Sequence, residues 1–230
     1  MKKNVVVLTG AGISAESGLK TFRDADGLWE GHDVMEVASP EGFLSKPELV
    51  LDFYNQRRRQ LFKVSPNKAH EALVSLEQNF KVTVITQNVD DLHERAGSSH
   101  VVHLHGELLK VRSTGGGQPI PWHEDLMLGD YCEKGYQLRP HIVWFGEDVP
   151  MMGHAIELTS KADVVMIVGT SMQVYPAASL INFTMSGIPI YFIDPKPSIE
   201  GSSYHNIRVI PEKASKGVPI AVADLIDKVL

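Results

Sequence analysis

Short runs of apolar residues, most of them β-branched, recur along the chain between longer stretches of mixed or polar sequence. Most of these runs are continuous rather than alternating, which is typical of strands that are buried on both faces of a parallel sheet. Glycine, proline or polar residues bound each run, as they bound strands in general. We therefore predict strands over Asn4–Thr9, Lys81–Thr86, Val101–Leu104, Val164–Gly169, Ile188–Ile193 and Ile207–Ile210.

Stretches in which apolar residues return every three or four positions lie between several of these strands, and this spacing is typical of amphipathic helices. Two stretches also carry start signals, a first-turn proline at Pro47 and a candidate N-cap at Asn67. The alternation of strands and helices predicts an α/β fold with a Rossmann-like, doubly wound parallel sheet. The predicted helices are Pro47–Lys63, Asn67–Asn79, Met151–Lys161, Pro176–Ser186 and Lys216–Leu230.

Two stretches, Thr21–Lys46 and Glu107–Arg139, are rich in glycine, proline and polar residues and show no clear period. Long irregular segments inside a compact domain are usually functional lids or small inserted modules. We therefore predict one domain over residues 1–230, with a helical and loop insertion at about 21–65 and a small inserted module at about 107–139.

The first predicted strand leads directly into Gly10-Ala11-Gly12-Ile13-Ser14-Ala15, which matches the pattern G-x-G-x-x-G/A. The two glycines allow a tight turn and a close approach of the backbone to a pyrophosphate. Taken alone, the motif is as compatible with a simple tight turn as with a dinucleotide site. A dehydrogenase would also need a second buried strand that ends in an acidic residue. The following sequence, KTFRDADGLWEGHDVMEV, is not such a strand, which disfavours hydride transfer.

Composition and charge narrow the class of protein. Hydrophobic residues make up 43% of the chain and charged residues 22%, enough apolar material for a folded core. The net charge of −6 offers no general attraction for nucleic acid or for an anionic membrane. The single cysteine, Cys132, cannot form an internal disulfide, which fits a reducing compartment. The first apolar run is too short for a signal peptide or a membrane span, so we predict a cytoplasmic protein.

Five motifs resemble those of the sirtuin family and occur in the family's order over nearly the whole chain. The resemblance implies a single sirtuin-type catalytic domain that is an NAD-dependent protein lysine deacylase. Sirtuins cleave the nicotinamide–ribose bond of NAD and transfer ADP-ribose to the acyl oxygen of a modified lysine, which is bound in an extended peptide. The motifs are Gly10–Trp29, Thr86–Gly97, His103–Leu108, Arg139–Glu147 and Gly169–Ala178.

The resemblance also implies which residues bind NAD. By this resemblance, Gln87, Asn88 and Asp90 surround the carboxamide group of nicotinamide. Taken alone, the same segment would more commonly be a polar turn that begins a helix. Asp194 stands where sirtuins usually carry asparagine. The other implied NAD contacts are Gly10, Ala11, Gly12, Ile13, Ala15, Glu16, Phe22, Arg23, Trp29, His105, Gly169, Thr170, Ser171 and Ala214.

His105 is the predicted acid–base residue, and Asn88 and Asp90 complete the predicted catalytic set. Imidazole titrates near neutral pH, so it can remove a proton from a ribose hydroxyl. His103 is the rival, because it lies two residues away on the same predicted strand. His105 precedes Gly106, as in the family's His-Gly pair, and we expect that glycine to end the strand.

Two segments are predicted to bind the substrate. In sirtuins, the segment that resembles Val143, Trp144, Phe145 and Gly146 pairs with the peptide backbone, although Val-Trp-Phe also reads as a core strand. On the helix that begins at Pro47, Tyr54 and Arg57 share one face. They resemble the Tyr-x-x-Arg pair of class III sirtuins, which binds the carboxylate of succinyl or malonyl lysine, and Ala38 resembles the small residue of the same pocket. The alternative is a solvated basic face, which suits Arg58 and Arg59 better.

Most sirtuins bind a structural zinc through two cysteine pairs, and this chain departs from that pattern. A tetrahedral thiolate site needs four cysteines, whereas only Cys132 is present. We therefore predict no metal, and a small apolar cluster of Trp122, Leu126, Met127, Tyr131 and Tyr136 in its place. Two other functions stay open. One is mono-ADP-ribosyl transfer, which the intact His105–Gly106 pair disfavours, and the other is a non-catalytic NAD-binding module.

Overall fold

A computed structural model describes residues 2–19, 28–29, 31–197 and 206–229. In chain order the strands are β1 (Asn4–Thr9), β2 (Leu28–Trp29), β3 (His32–Asp33), β4 (Lys81–Thr86), β5 (Val101–His103), β6 (Gly106–Ser113), β7 (Ile120–Pro121), β8 (Leu138–Ile142), β9 (Val164–Val168), β10 (Ile190–Ile193) and β11 (Ile207–Ile210). The α-helices are α1 (Ala11–Ala15), α2 (Val34–Val37), α3 (Pro40–Ser45), α4 (Pro47–Leu61), α5 (Lys68–Leu76), α6 (Leu92–Ala96), α7 (Met152–Ser160) and α8 (Ala214–Val229).

A parallel sheet with the strand order β11-β10-β9-β1-β4-β5 forms the centre of the molecule. In β1, Val7 lies opposite Val84 of β4 on one side and Met166 of β9 on the other. The chain proceeds from β1 towards β5 on one side and from β9 towards β11 on the other, so the topology reverses between β1 and β9. Ligands bind at this reversal in doubly wound sheets.

Both faces of the sheet are covered, which explains why its strands read as continuous apolar runs. Val5 and Val7 pack on the side of α5 and α8, whereas Val6 and Leu8 pack on the side of α7. Each side chain of β1 from Val5 to Thr9 is therefore buried on one face or the other. The prediction of a Rossmann-like, doubly wound α/β fold is confirmed.

The predicted strands at Asn4–Thr9, Lys81–Thr86 and Ile207–Ile210 have the observed bounds. One predicted helix differs, because Ala177–Phe183 is a 3-10 helix rather than an α-helix. In the part of the chain that the structure describes, none of the helices has the length and apolar character needed to cross a bilayer.

The segment Glu107–Arg139, which we expected to be irregular, contains an antiparallel sheet of the order β7-β6-β8. We call residues 106–142, which carry these three strands, the small module. Strand β6 was not evident from the sequence because its pairing with β8 shifts register between Glu107 and Val111. This shift interrupts the alternation of inward and outward residues that indicates a strand. Thr21–Lys46 likewise contains the short helices α2 and α3, and four to six residues are too few to show a helical period.

Two buried side chains of α4 attach the small module. Asn55 Nδ2 donates to Leu126 O at 3.0 Å, and Leu126 N donates to Asn55 Oδ1 at 2.8 Å. Arg58 is 1% exposed; its Nε donates to Leu108 O at 3.3 Å and its Nη1 to Asn55 Oδ1 at 2.7 Å. The prediction that Arg58 lies on a solvated face was therefore wrong, whereas Arg59 is exposed.

Polar bonds, rather than the predicted apolar cluster, hold the loop between β7 and β8. Gln137 Oε1 accepts from Gly129 N at 2.9 Å, and its Nε2 lies 3.0 Å from Met127 O. Leu126 is buried and Trp122 partly buried, but the other three members of that cluster are 50–61% exposed, so the cluster was wrong. Those members are Met127, Tyr131 and Tyr136.

The donor set of the small module does not fit a structural zinc. The thiol of Cys132 donates to Ser113 Oγ at 3.4 Å, which puts a hydroxyl beside the one sulfur ligand available. Among the residues that the structure describes, three or more His, Cys, Asp or Glu side chains do not come together anywhere to bind a metal. The absence of zinc stays a prediction.

Candidate functional site

Glycines bring the end of β1 into backbone contact with the end of β9. Gly10 N donates to Val168 O at 3.0 Å, and Gly12 N donates to Gly169 O at 2.8 Å. A Cβ atom on Gly12 would lie 2.6 Å from Gly169 Cα, closer than real Cβ contacts allow. Gly169 has a φ angle of 61°, which also favours glycine. The chain therefore needs glycine at both positions, and the turn lies where doubly wound sheets bind dinucleotides.

The other NAD candidates of the first motif have different surroundings. Ile13 is fully buried in the core, so its side chain packs against the sheet and only its backbone lies in the turn. Ala11 is half-buried and Ala15 is exposed. Phe22 and Arg23, which we also predicted to bind NAD, lie outside the described residues.

The loop after β4 brings the predicted catalytic residues Asn88 and Asp90 together through Ser14. Asn88 Nδ2 donates to Ser14 Oγ at 3.1 Å, and Ser14 Oγ donates to Asp90 Oδ2 at 2.9 Å. All three side chains are buried. Gln87 Nε2 extends the network to Thr170 Oγ1 at 3.2 Å. We did not predict a role for Ser14, and its only sequence signal was its place in the glycine motif.

Burial raises the pKa of the Asp90 carboxyl group above its ordinary range. Bonds from Leu92 N and from Ser14 oppose this increase, and so does the positive charge on His103. The neighbours of Asp90 therefore counteract part of the cost that burial imposes on its ionised form.

The residues between β4 and α6 are held by the segment that carries both candidate histidines. His105 Nδ1 lies 3.0 Å from Gln87 O, and His103 Nδ1 lies 3.1 Å from Asn88 O. The main-chain N–H of Leu108 donates to the next carbonyl of the loop at 2.8 Å. Three successive carbonyl groups of this loop, residues 87–91, which we call the catalytic loop after its predicted role, thus accept hydrogen bonds from residues 103–108.

The bond to Gln87 defines the tautomer of His105. A carbonyl oxygen only accepts, so Nδ1 carries the proton and Nε2 keeps its lone pair in the neutral ring. Burial lowers the pKa of His105, and the bond to Gln87 O only partly opposes this decrease. The ring is therefore neutral at neutral pH, as a general base requires. Gly106 begins β6 rather than ending the preceding strand, so His105 lies in the short link between β5 and β6.

The remaining NAD candidates lie at the carboxyl ends of β9 and β10 and at the start of α8. Thr170 and Asp194 are buried, and Asp194 Oδ1 accepts from Lys196 N at 2.8 Å. Ser171 follows Thr170 directly, and Ala214 is the first residue of α8. Next to Ala214, the N–H of Ser215 donates to Glu16 Oε2 at 2.9 Å, so that α1 is bonded to α8.

Tyr54 and Arg57 lie on α4, on the face that we predicted they would share, and both contact aromatic side chains. Tyr54 is fully buried and accepts a hydrogen bond from Trp144 Nε1 at 3.0 Å. The Arg57 guanidinium lies 4.4 Å from the centre of the Trp29 ring and 5.7 Å from that of Phe53. Arg57 also lines a cavity of about 220 Å³. Trp29, which we predicted to bind NAD, therefore packs against Arg57, a residue that we predicted to bind the acyl group.

The segment Val143–Glu147 is an irregular continuation of β8 and not a core strand. Val143 N donates to His105 O and Phe145 N donates to Ala38 O, each at 2.9 Å. Trp144 is buried, with the Arg139 guanidinium 3.3 Å above its ring. Gly146 has a φ angle of 89° in the turn that follows. The predicted peptide-binding segment is thus bonded directly to His105 and to Ala38, the buried small residue of the predicted acyl pocket.

One carboxylate fixes the course of this segment. Glu147 accepts from Trp144 N at 2.8 Å, from Arg139 Nη1 at 2.6 Å and from Arg112 Nη2 at 2.9 Å. Burial raises the pKa of Glu147, but its bond to Arg139 and the neighbouring positive charges outweigh that and give a net decrease. Glu147 is therefore ionised at neutral pH and closes the turn at Gly146.

Comparison with known proteins shows which family has this sequence and this arrangement. A family model described as the Sir2 family matches residues 10–176. The chain is 58% identical over 229 residues to an NAD-dependent protein deacylase of Helicobacter pylori strain ATCC 700392 / 26695, covering 99% of this chain and 98% of that protein. It is 53% identical over 225 residues to an NAD-dependent protein deacylase of Bacteroides thetaiotaomicron, covering 94% and 95%. A crystal structure of a Sir2 homologue–NAD complex has a TM-score of 0.88 and 40% identity, covering 99% of this chain and 91% of that one.

Proposed function

Because the chain belongs to the Sir2 family and is an NAD-dependent protein deacylase, we propose that it removes succinyl and malonyl groups, and also acetyl groups, from protein lysine side chains. The observation that carries the acyl preference is the shared position of Tyr54 and Arg57 on α4, beside the buried Trp144. An anionic acyl group needs a cation and a hydrogen-bond donor at the end of its pocket, and these two side chains supply them.

In this reaction NAD supplies the ADP-ribosyl group that accepts the acyl group, one water is consumed, and nicotinamide, the free lysine amine and 2'-O-acyl-ADP-ribose are released. The glycine turn fits a pyrophosphate, because Gly10 and Gly12 present backbone without side chains at the ends of β1 and β9. Asn88 and Asp90 offer an amide and a carboxylate, the groups that recognise a carboxamide. Ser14 holds these two side chains in one arrangement, which favours a fixed orientation of nicotinamide.

His105 is the proposed general base. Its Nδ1–H donates to Gln87 O, so its Nε2 is the atom that takes a proton from a ribose hydroxyl. The backbone of the proposed peptide-binding segment bonds to His105 O through Val143 N. This bond supports the proposal because it ties the segment that binds the acyl-lysine peptide to the base that acts on the acyl intermediate.

Tyr54 is a neutral donor in the proposed acyl pocket. An indole N–H only donates, so the Tyr54 hydroxyl accepts from Trp144 and keeps its own O–H to donate to an acyl carboxylate. Burial raises the pKa of Tyr54 above its ordinary value, so the hydroxyl stays protonated at neutral pH. The Arg57 guanidinium lies over the Trp29 ring, and its planar group of donors suits it to two parallel bonds with a carboxylate. The small side chain of Ala38 leaves room for a longer acyl chain.

The test compares kcat/KM on succinyl-lysine and acetyl-lysine versions of one peptide, with NAD, for the parent and Arg57→Met. Arg59→Met is the matched control, because Arg59 lies on the same helix and pairs with Asp125 on the exposed surface. We expect the parent to favour succinyl-lysine and Arg57→Met to lose about 30-fold or more of that activity. Activity on acetyl-lysine should change little in either variant.

Two outcomes would contradict the acyl preference. One is a parent enzyme that favours acetyl-lysine and does not respond to Arg57→Met, which would make it a general deacetylase. The other is an equal loss on both peptides, which would mean that Arg57 supports the pocket without recognising the carboxylate. His105→Ala tests the base separately and should abolish activity on both peptides.

A further inference from the structure

His103 forms hydrogen bonds at both ring nitrogens, and both partners are acceptors. Nδ1 lies 3.1 Å from Asn88 O, and Nε2 lies 2.7 Å from Glu94 Oε1. A carbonyl oxygen and a carboxylate oxygen have no proton to give, so each ring nitrogen must carry its own hydrogen. Both bonds exist together only when the ring is an imidazolium, and this ring is only 8% exposed.

This buried cation lies directly behind the catalytic loop. It holds the carbonyl of Asn88, whose side chain donates to Ser14, and Ser14 in turn donates to Asp90. The charge of His103 also acts on the Asp90 carboxylate and favours its ionised form. His103 therefore reaches both proposed nicotinamide-binding residues without lying among the reacting atoms.

We propose that His103 is a positioning residue for the cleavage of NAD, and that Glu94 keeps it in the imidazolium form that holds the Asn88 carbonyl. His103 acts on the NAD half of the site, so this role rests on the functions proposed above for Asn88 and Asp90. It is therefore independent of the acyl preference proposed above, and it holds whichever acyl group is removed. It also gives a function to the histidine that competed with His105 on sequence grounds.

Charged and titratable groups face His103 from several elements. Glu94 on α6 and Glu107 on β6 favour its protonated form, and the buried His93 of α6 lies close enough for its pKa to be lowered by the charge on His103. Burial alone would lower the pKa of His103, but its bond to Glu94 and these charges give a net increase. Lys110 acts on Glu94 and bonds to Glu107.

The sign of the expected pH effect follows from Asp90. The charge of His103 favours ionisation of Asp90, whereas the charge of the neighbouring Asp91 disfavours it. If His103 becomes neutral, Asp90 loses its favourable charge and its pKa rises further. A reaction that needs the Asp90 carboxylate is then lost at a higher pH than in the parent, so the acid limb of its pH profile moves upwards.

Three variants separate the charge of His103 from its shape. Glu94→Gln keeps the size of the side chain and an oxygen that can accept from Nε2, but it removes the charge. His103→Asn keeps one N–H donor for the Asn88 carbonyl, whereas His103→Ala keeps none. His100→Asn is the matched control, because His100 precedes β5 and its ring contacts Thr83 rather than the catalytic loop.

The measurement is kcat/KM for NAD as a function of pH, with one acylated peptide at saturation. We expect His103→Ala to lower kcat/KM for NAD by about 10- to 100-fold. His103→Asn should recover part of that loss, and His100→Asn should match the parent. Glu94→Gln should approach the parent at higher pH, while its acid limb moves to higher pH than that of the parent.

Two results would overturn the proposal. The first is a His103→Ala enzyme that cleaves NAD as well as the parent does. The second is a Glu94→Gln enzyme whose acid limb coincides with that of the parent, because the charge on His103 would then have no role. Glu94 is partly exposed, so Glu94→Gln provides this test even if His103→Ala fails to fold.

Discussion

Replacing Asn55 by leucine tests what holds the small module on α4. The Asn55 side chain makes three buried hydrogen bonds, two with the backbone of Leu126 and one with Arg58 Nη1. Leucine is similar in size but forms none of these bonds. The substitution therefore leaves a backbone donor, a backbone acceptor and a guanidinium N–H without their partner, and it creates no large cavity.

The expected loss of stability follows from those three groups. A buried polar group that loses its partner costs about 1–3 kcal/mol. Asn55→Leu should therefore lower the free energy of unfolding by about 3–6 kcal/mol, because small shifts and water entry satisfy part of the deficit. For a domain of this size each kcal/mol lowers Tm by about 2–4 °C, so the decrease should be about 6–24 °C.

Urea unfolding and thermal unfolding of the parent and Asn55→Leu measure this difference. Arg59→Leu is the control, because Arg59 neighbours Arg58 but its ion pairs with Asp52 and Asp125 are exposed, and such pairs contribute about 0–1 kcal/mol. A variant that unfolds within about 1 kcal/mol of the parent would refute the reasoning. The small module would then be held chiefly by apolar contacts around Leu126, such as those of Trp122.

Two further predictions concern the glycine turn and acid stability. Gly12→Ala should raise KM for NAD about 100-fold or more, because its Cβ would lie 2.6 Å from Gly169 Cα and backbone on both sides would have to move; an unchanged KM would show that the turn does not approach the dinucleotide. Burial lowers the pKa of His70 to about 4, while its Nδ1 accepts from Asn67 N at the start of α5. The stabilising effect of the neutral ring is complete above pH 6.5 and is lost as the pH falls towards 4, because the unfolded chain binds the proton first. When the pH is lowered from 7.5 to 5, the free energy of unfolding measured with urea should therefore decrease by about 2 kcal/mol less for His70→Gln than for the parent. Equal decreases in the two proteins would contradict this assignment.

The central sheet could be predicted because the burial of each strand on both faces is visible in the residues of that strand alone. Val5 to Leu8 are apolar without interruption since both faces of β1 are covered by helices, and a continuous β-branched run records that directly. β6 could not be predicted in the same way. Leu108 and Val111 are buried on its inner face, but the register shift between Glu107 and Val111 breaks the period that would have indicated a strand.

The site was predicted where a short motif contains the chemistry, and it was missed where the chemistry depends on a distant partner. The Gly-x-Gly turn and the His105–Gly106 pair are readable in sequence. Arg58 was misassigned because its acceptor, Leu108 O, is 50 residues away and no helical period reveals it. Ser14 was missed for a related reason, since its partners Asn88 and Asp90 lie more than 70 residues further along the chain.

The proposed acyl pocket and the proposed general base are connected through two adjacent residues. Val143 N bonds to the backbone of His105, and Trp144 Nε1 bonds to the hydroxyl of Tyr54. Glu147 fixes the turn that carries both residues by accepting from Trp144 N. Any shift of this turn would therefore change the end of the proposed acyl pocket and the position of the base together. If an acyl group is recognised at Tyr54 as proposed, the segment that bonds to Tyr54 through the Trp144 side chain also bonds to the backbone of His105 through Val143 N. Recognition of the distant end of the acyl chain would then be coupled to the position of its carbonyl oxygen relative to the proposed base.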